Sequence, residues 1–234
     1  MKITPKKEIH TTITVPGDKS ISHRSIMLGA LAKGTTEIEG FLMGEDCLST
    51  ISCFQKLGIR IEQQKDKIIV HGKGLHGLTA PTETLDVGNS GTTLRLISGI
   101  LSAQPFCSHL TGDASIQKRP MERIAVPLRQ MGAVLKGSSD KLFAPFAIEG
   151  TALKGITYAL PMASAQVKSA ILLAGLFAKG ETIVIEPEPT RDHTEIMLRC
   201  MGAEIQKIGN EIHCKPVPEL YAHKIVVPSD ISSA

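Results

Sequence analysis

The chain has 234 residues, a formal net charge of +3, 42% hydrophobic residues, only 3% aromatic ones and no tryptophan. Such a length suits one large domain or two small ones, with a core built from Leu, Ile, Val, Met and Ala. The slight charge, and the lack of a basic run interleaved with aromatics, exclude a nucleic-acid groove. The five cysteines, Cys47, Cys53, Cys107, Cys200 and Cys214, are odd in number and contain no CxxC pair. The eight histidines show no HxxxH or HExxH spacing. The opening "MKITPKKEIH" has no apolar signal core, and no run reaches the length of a membrane span. A cytoplasmic protein without disulfides, structural metal or membrane contact is expected.

In chain order, "PGDKSISHRSIML" at residues 16–28 is the first informative stretch. It gathers Lys19, Ser20, Ser22, His23 and Arg24 ahead of an apolar run, so a helix is expected to start there, capped by Asp18 or Ser20. The same pattern returns as "NSGTTLRLISGILSAQP" from Asn89 and "SAQVKSAILLAGLFAKG" from Ser164. Each begins with small polar residues, continues as an apolar helix-like run and stops at Gly or Pro. Leu94, Ile97 and Leu101 share one helix face with Leu96 and Ile100 beside them, while "VKSAILLAGLFA" is apolar nearly all round and predicts a buried helix.

A second helix follows each first one and ends in an apolar residue plus Gly, as "CFQKLG", "PLRQMG" and "MLRCMG". Asp46 is expected to cap the first of these, Pro120 to open the second, and Asp192 with Glu195 to form a cap-plus-acid pair in the third. Pro127 predicts a kinked or shortened helix. Alternating stretches come next, "IRIEQQKDKIIVHG", "AVLKGSSDKLFAPFAIEG" and "AEIQKIGNEIHCKP", and read as hairpins turning near Lys-Asp, Ser-Asp and Gly-Asn.

The repeat is therefore a βαβαββ unit of about 70 residues, and the fold class is α/β with three pseudo-threefold units at about 16–85, 86–158 and 159–226. "VPSDISSA" at 227–234 resembles "VPGD" at 15–18 and reads as the start of a fourth unit. On that reading further units are missing, and residues 1–15, outside the three complete units, are expected to pack against them.

Three first helices packed side by side point their N-termini to one end, each with free N–H groups and about half a positive charge. Lys19-Ser20, Ser90-Gly91 and Ala165-Gln166 open them, Arg24 and Lys168 lie slightly further in, and Arg119 and Arg191 open two second helices. This is a floor suited to phosphates and carboxylates. Plainer readings stay open beside it: ordinary capped turns at Asp18 and Asn89-Ser90-Gly91, a solvated first turn at Gln166 and Lys168, and an Arg191–Glu195 pair. "NSGTT" lacks the GK[ST] ending of a Walker loop. No Ser-His-Asp, Cys-His or paired-carboxylate grouping stands out. His23 and His193 have no neighbouring nucleophile, and Asp46, Asp86 and Asp113 are candidates by position only.

Together "PGDKSISHRS", "GNSGTTLR", "KRPMERI", "MASAQVKSAILLAG" and "TRDHTE" closely resemble the 5-enolpyruvylshikimate-3-phosphate synthase family, in order across residues 9–234. The UDP-N-acetylglucosamine enolpyruvyl transferases share that fold without "DKSISHR". "SAQVK" and "RDHTE" resemble the subgroup associated with glyphosate tolerance. The resemblance implies helices inside and sheets outside, and transfer of the enolpyruvyl group of phosphoenolpyruvate to the 5-hydroxyl of shikimate 3-phosphate, in the shikimate pathway. It implies a monomer, no metal and no organic cofactor, with a second domain carrying the acidic proton-transfer residues, so that this chain alone is expected to be inactive. It matches Lys19, Ser20, Arg24, Ser164, Ala165, Gln166 and Arg191 to shikimate 3-phosphate. It matches Lys19, Asn89, Gly91, Arg119 and Gln166 to phosphoenolpyruvate, with Lys19 catalytic. Ala165 departs from members with Ser there, which leaves its backbone as the contact. The resemblance makes residues 1–15 and 227–234 crossover segments toward that second domain, and 16–226 the substrate-binding domain. A non-catalytic anion-binding module, another enolpyruvyl transferase such as the UDP-N-acetylglucosamine type, and a repeat scaffold remain as alternatives.

Overall fold

A computed structural model describes residue 12 and residues 15–233. The expectation for residues 1–15 falls almost wholly outside the described residues. Within them, the second and third units follow the expected order. The second runs β4 (Leu85–Asp86), α3 (Gly91–Leu101), β5 (Cys107–Thr111), α4 (Glu122–Gln130), β6 (Val134–Lys136) and β7 (Phe146–Glu149). The third runs β8 (Thr157–Ala159), α5 (Ala165–Gly175), β9 (Thr182–Ile185), α6 (His193–Cys200), β10 (Ile205–Ile208) and β11 (Glu211–Cys214).

The first unit supplies α1 (Lys19–Leu31), β1 (Ala32–Glu39), α2 (Glu45–Lys56), β2 (Arg60–Gln63) and β3 (Lys67–Lys73). The strand corresponding to β4 and β8 comes from the other end of the chain. β12 (Leu220–Tyr221) and β13 (Ile225–Val226) both pair parallel with β1, as β4 does with β5 and β8 with β9. Residues 220–226, read from the sequence as the end of the third unit, thus complete the first sheet. Beyond them the Asp18 N–H donates to the Pro228 carbonyl at 2.8 Å, and the Asp230 N–H to the Pro16 carbonyl at 2.9 Å. The three sheets share one plan, short parallel pairing at one edge of three antiparallel strands, supplied in the first sheet by two strands, β12 and β13.

The second helices end alike because the same glycine geometry recurs. Gly58, Gly132 and Gly202 have φ of 85°, 104° and 96°, which costs a Cβ-free residue nothing. The next N–H then reaches back five residues along the chain, Ile59 to Phe54 at 3.0 Å, Ala133 to Leu128 at 2.9 Å and Ala203 to Leu198 at 3.0 Å. All six side chains are buried, so each turn is also an apolar clasp.

Several local expectations are corrected. Gly44, not Asp46, stands at the N-cap of α2, and Asp46 lies in its first turn. Pro120 precedes α4, whose N-cap is Met121; Pro127 does lie inside this nine-residue helix. Asp192 is the N-cap of α6 but its side chain accepts no cap bond, and Glu195 turns inward. The second hairpin has no tight Ser-Asp turn: residues 137–145 form a loop that docks on α4, where Leu142 donates to Glu122 Oε1 at 2.6 Å and accepts from Met121 N–H at 2.9 Å. The other two hairpins turn at Lys65-Asp66 and Gly209-Asn210, as expected.

The core is aliphatic, with Phe54 and Phe146 its buried phenylalanines. Its middle is formed by α1, α3 and α5. Every residue of α5 from Val167 to Gly175 is buried, and so are the five apolar positions singled out on α3. The sheets lie outside them, with Ile68 and Val70 of β3 and Val184 of β9 pointing inward.

Candidate functional site

The three central helices start with side-chain caps of one kind. Asp18 accepts the Ile21 N–H at 2.7 Å, Ser90 that of Thr93 at 3.1 Å and Ser164 that of Val167 at 3.4 Å. Each cap satisfies one orphan N–H and leaves others at the helix end. The ends are then tied together sideways. His23 Nδ1 lies 3.3 Å from Thr93 Oγ1, joining α1 to α3. Arg24 Nη2 donates to Ser169 Oγ at 2.9 Å, joining α1 to α5. Gln166 closes the ring: its Nε2 donates to Thr92 Oγ1 at 3.0 Å and its Oε1 accepts from Arg95 Nη1 at 2.8 Å.

A cleft of about 20 Å³ lies at this junction, lined by Ser20, Arg24, Thr92, Ala165, Gln166, Arg191 and His193. It holds little more than one water, so it is too small to enclose an organic ligand. Larger hollows, such as one of about 410 Å³ beside Glu39 and the Gln64–Lys67 turn, contain none of these groups. We place the site at the small cleft because the converging donors and cations are there.

The floor has two cationic sides with Gln166 between them. On one side Arg24 is 5% exposed, and Nε and Nη1 donate to Thr194 Oγ1 at 2.6 Å and to the Ser20 carbonyl at 2.9 Å. With Nη2 also engaged, three of the five N–H groups of a guanidinium are used, leaving two for a ligand. Burial brings its pKa down to about 10, with Glu195 opposing the fall and Arg191 adding to it, so it stays charged at neutral pH. Arg191 is exposed and reaches Ser20 Oγ at 3.5 Å. Lys19 is half exposed and forms an ion pair with Asp46.

On the other side Arg119 Nη2 lies 3.3 Å from Asn89 Oδ1 and 3.2 Å from Ser115 Oγ. Asn89 in turn donates to Asp113 Oδ2 at 2.6 Å. That bond, the N–H groups of Ile116 and Ser115 and the nearby Arg119 charge hold the Asp113 carboxyl below its usual range. Arg95 is brought down by partial burial and by the charges of Arg119 and Arg123. Gly91 sits beneath this pair: a Cβ there would lie 2.8 Å from Arg95 Nη1 and 3.2 Å from Arg119 Nη1.

Of the residues marked in the sequence, Ser20, Arg24, Ala165 and Arg191 line the first side, Lys19 and Ser164 stand at the starts of the same helices α1 and α5, Gln166 lies between the sides, and Asn89, Gly91 and Arg119 lie on the second. Lys168 does not join the floor. It is fully buried between Glu186 and Glu195, so neither a solvated first turn nor a ligand contact describes it, and the expected Arg191–Glu195 pair gives way to a Lys168–Glu195 pair. Arg95, Thr92, Ser169 and Thr194 were missed. Arg95 was the most accessible to sequence reasoning, being one helical turn after Gly91. His23 is buried against Thr50 and Thr93, and burial lowers its pKa to about 4, against an opposing Asp46, so it is neutral at physiological pH. Among the described residues no group of three or more His, Cys, Asp or Glu side chains is arranged to hold a metal, and no helix is long and apolar enough to cross a membrane.

A family model described as EPSP synthase (3-phosphoshikimate 1-carboxyvinyltransferase) matches residues 3–234. The 3-phosphoshikimate 1-carboxyvinyltransferase of Brevibacillus brevis is 56% identical over the whole chain, which covers 55% of that protein. The enzyme of that name from Bacillus subtilis is 52% identical with the same coverages. The structure of EPSP synthase from Acinetobacter baumannii superposes with a TM-score of 0.91 and 58% identity, over 94% of this chain and 50% of that one. The chain thus spans about half the length of the relatives it matches. The motifs at the helix starts, the three-unit architecture and these matches agree: the chain belongs to the EPSP synthase family.

Proposed function

We propose that this chain builds the shikimate 3-phosphate side, and part of the phosphoenolpyruvate side, of a cytoplasmic enolpyruvyl transferase. The observation that carries the reading is the two-sided floor. Two anionic substrates that repel each other need separate cationic seats held at a fixed spacing, and Gln166 bonds across that spacing to Arg95 and Thr92.

In this reading Lys19, Ser20, Arg24, Ser164, Ala165, Gln166 and Arg191 seat shikimate 3-phosphate. Ser164 Oγ is engaged as the α5 cap, so Ala165 and Gln166 offer helix-start N–H groups beside it. Asn89, Gly91, Arg119 and Gln166 seat phosphoenolpyruvate, and Arg95 joins them. Lys19 serves both by leaving Asp46. The bond formed joins the 5-oxygen to C2 of the enolpyruvyl group, the bond broken is from C2 to the phosphate oxygen, and the hydroxyl proton leaves with the phosphate. Positive charge developing at C2 is flanked by carboxylate and phosphate, which the fixed cations hold in place. Positioning and preorganised electrostatics therefore carry the rate. The acidic proton-transfer residues belong to a second half such as the relatives' extra length provides, and closure of that half excludes water.

The test is calorimetric titration of the chain with shikimate 3-phosphate at two salt concentrations. Affinity on the order of 0.1–1 mM that weakens with salt is expected for an open half-site. Absence of binding at low salt would refute the reading.

A further inference from the structure

Behind the floor lies a buried charge cluster that the proposed reaction does not use. Lys168 Nζ is 2.6 Å from Glu195 Oε1 and 3.1 Å from Glu186 Oε1, with all three residues buried. The ammonium is held by charge without an aligned hydrogen bond, and neither Glu186 Oε2 nor Glu195 Oε2 has a hydrogen-bond donor, although the part-exposed Lys207 Nζ stands 3.9 Å from Glu186 Oε2. Removing three charges from water is costly, and packed apolar residues would stabilise the fold at least as well. Stability is therefore a poor account of this cluster.

Its neighbours suggest another. Lys168 precedes Ser169 on α5, and Glu195 follows Thr194 on α6. Ser169 Oγ and Thr194 Oγ1 are 2.7 Å apart, and together they hold Arg24. The ion pair thus clamps α5 to α6 one residue from the hydroxyl pair that grips the guanidinium. Glu186 Oε1 accepts both the Thr190 N–H, at 3.2 Å, and the Thr190 hydroxyl. Thr190 precedes Arg191, so the second limb of the cluster sets the base of the other exposed-side cation. Arg95 and Arg119 are held differently, through Gln166, Asn89 and Ser115.

We infer that Lys168, through Glu195 and Glu186, is a positioning residue for Arg24 and Arg191, and so for one anion seat and not the other. The assignment of that seat to shikimate 3-phosphate rests on the function proposed above; the positioning itself does not. Charge alone would act with the opposite sign. Neutralising a carboxylate near a bound anion strengthens binding, whereas loosening Arg24 weakens it.

Glu195→Gln in the full chain separates the two. It keeps the shape and leaves Lys168 paired with Glu186, whereas Lys168→Met would strand the buried Glu195 carboxylate and leave Glu186 only Lys207 at 3.9 Å. Glu186→Gln is the companion variant and probes the Thr190 limb. The first readout needs no ligand: solvent exchange of the Arg24 Nε–H, followed by nitrogen-15 NMR, with the Gln166 side-chain amide as control. The second is affinity for shikimate 3-phosphate. In Glu195→Gln the Arg24 Nε–H is expected to exchange about tenfold faster with the Gln166 amide unmoved, and affinity to fall about fivefold to tenfold, the scale of one ordinary hydrogen bond. Glu186→Gln should lower affinity similarly through Arg191. Unchanged Arg24 exchange, or unchanged or tighter binding in both folded variants, overturns the inference. If Arg24 exchange responds while wild type fails to bind shikimate 3-phosphate, the positioning stands and the proposed substrate falls.

Discussion

Gly99 of α3 faces the Ala170 carbonyl of α5 so closely that a Cβ on residue 99 would collide with that oxygen. Both groups are backbone-bound, so no rotamer relieves the overlap. Gly99→Ala is expected to destabilise the chain by about 1–3 kcal/mol and to part the two helices. Gln166 would then no longer span from Thr92 to Arg95. A lower urea midpoint together with a shifted Gln166 side-chain amide resonance checks this; an unchanged midpoint refutes it.

Asp46 holds Lys19 in an ion pair, and in the proposed site it competes with the bound anion. The pair is partly exposed, at 49% and 21% of the side chains, so its loss should change stability by less than about 1 kcal/mol. Asp46→Asn frees the ammonium, and affinity for shikimate 3-phosphate should rise about twofold to fivefold, more at low salt than at high. Weaker binding would show that Asp46 supports the seat.

Arg24→Lys keeps a charge and loses the fork. A lysine cannot bond Thr194, Ser169 and the Ser20 carbonyl together as Arg24 does. Affinity should drop about tenfold and stability by about 1–3 kcal/mol, because buried hydroxyls lose their partner. Calorimetry and urea unfolding of the same sample measure both.

Gly91→Ala places a methyl group against Arg95 and Arg119. The contacts fall on flexible guanidinium ends, so the fold should be retained while the two cations are pushed from the second seat. Phosphoenolpyruvate-dependent amide shifts at Asn89 and Thr92 should diminish, with shikimate 3-phosphate affinity within about twofold of wild type. An equal loss for both substrates would argue against two separate seats.

His23 gives stability a pH dependence. Its folded pKa is about 4 against 6.5 unfolded, lowered chiefly by burial. The unfolded ring therefore takes up a proton first as pH falls. Its contribution is complete above pH 6.5 and is lost as pH falls toward the folded value of about 4, on the order of 3 kcal/mol in all. Urea midpoints at pH 7 and pH 4.5 should differ less in His23→Gln than in wild type. An identical pH dependence would mean that the ring is not buried as described.

The sequence alone determined what depends on near neighbours along the chain. A glycine after "KL", "QM" or "CM" announced where the second helices stop, at Gly58, Gly132 and Gly202, because the left-handed conformation found there involves only the residue and its own φ. The small polar stretches announced where the central helices start, with Asp18 or Ser20 as the first cap and a capped turn at Asn89-Ser90-Gly91, since an acceptor three residues before an N–H is local geometry. From those signals the three-unit repeat, the convergence of helix starts and most of the floor were legible. Tertiary structure decided the rest. Nothing near Lys168 in the sequence tells that Glu186 and Glu195 will meet it in the interior, so a residue read as a surface cation proved fully buried. Nothing in "ELYAHKIVV" tells that it completes the first sheet beside β1, because strand partners are chosen by hydrogen bonds across nearly the whole chain. Arg95 joined the floor for the same reason: its orientation is fixed by Gln166, from a different helix. Caps and turns are set within a few residues, whereas the burial of a charge is set by whichever distant groups compensate it.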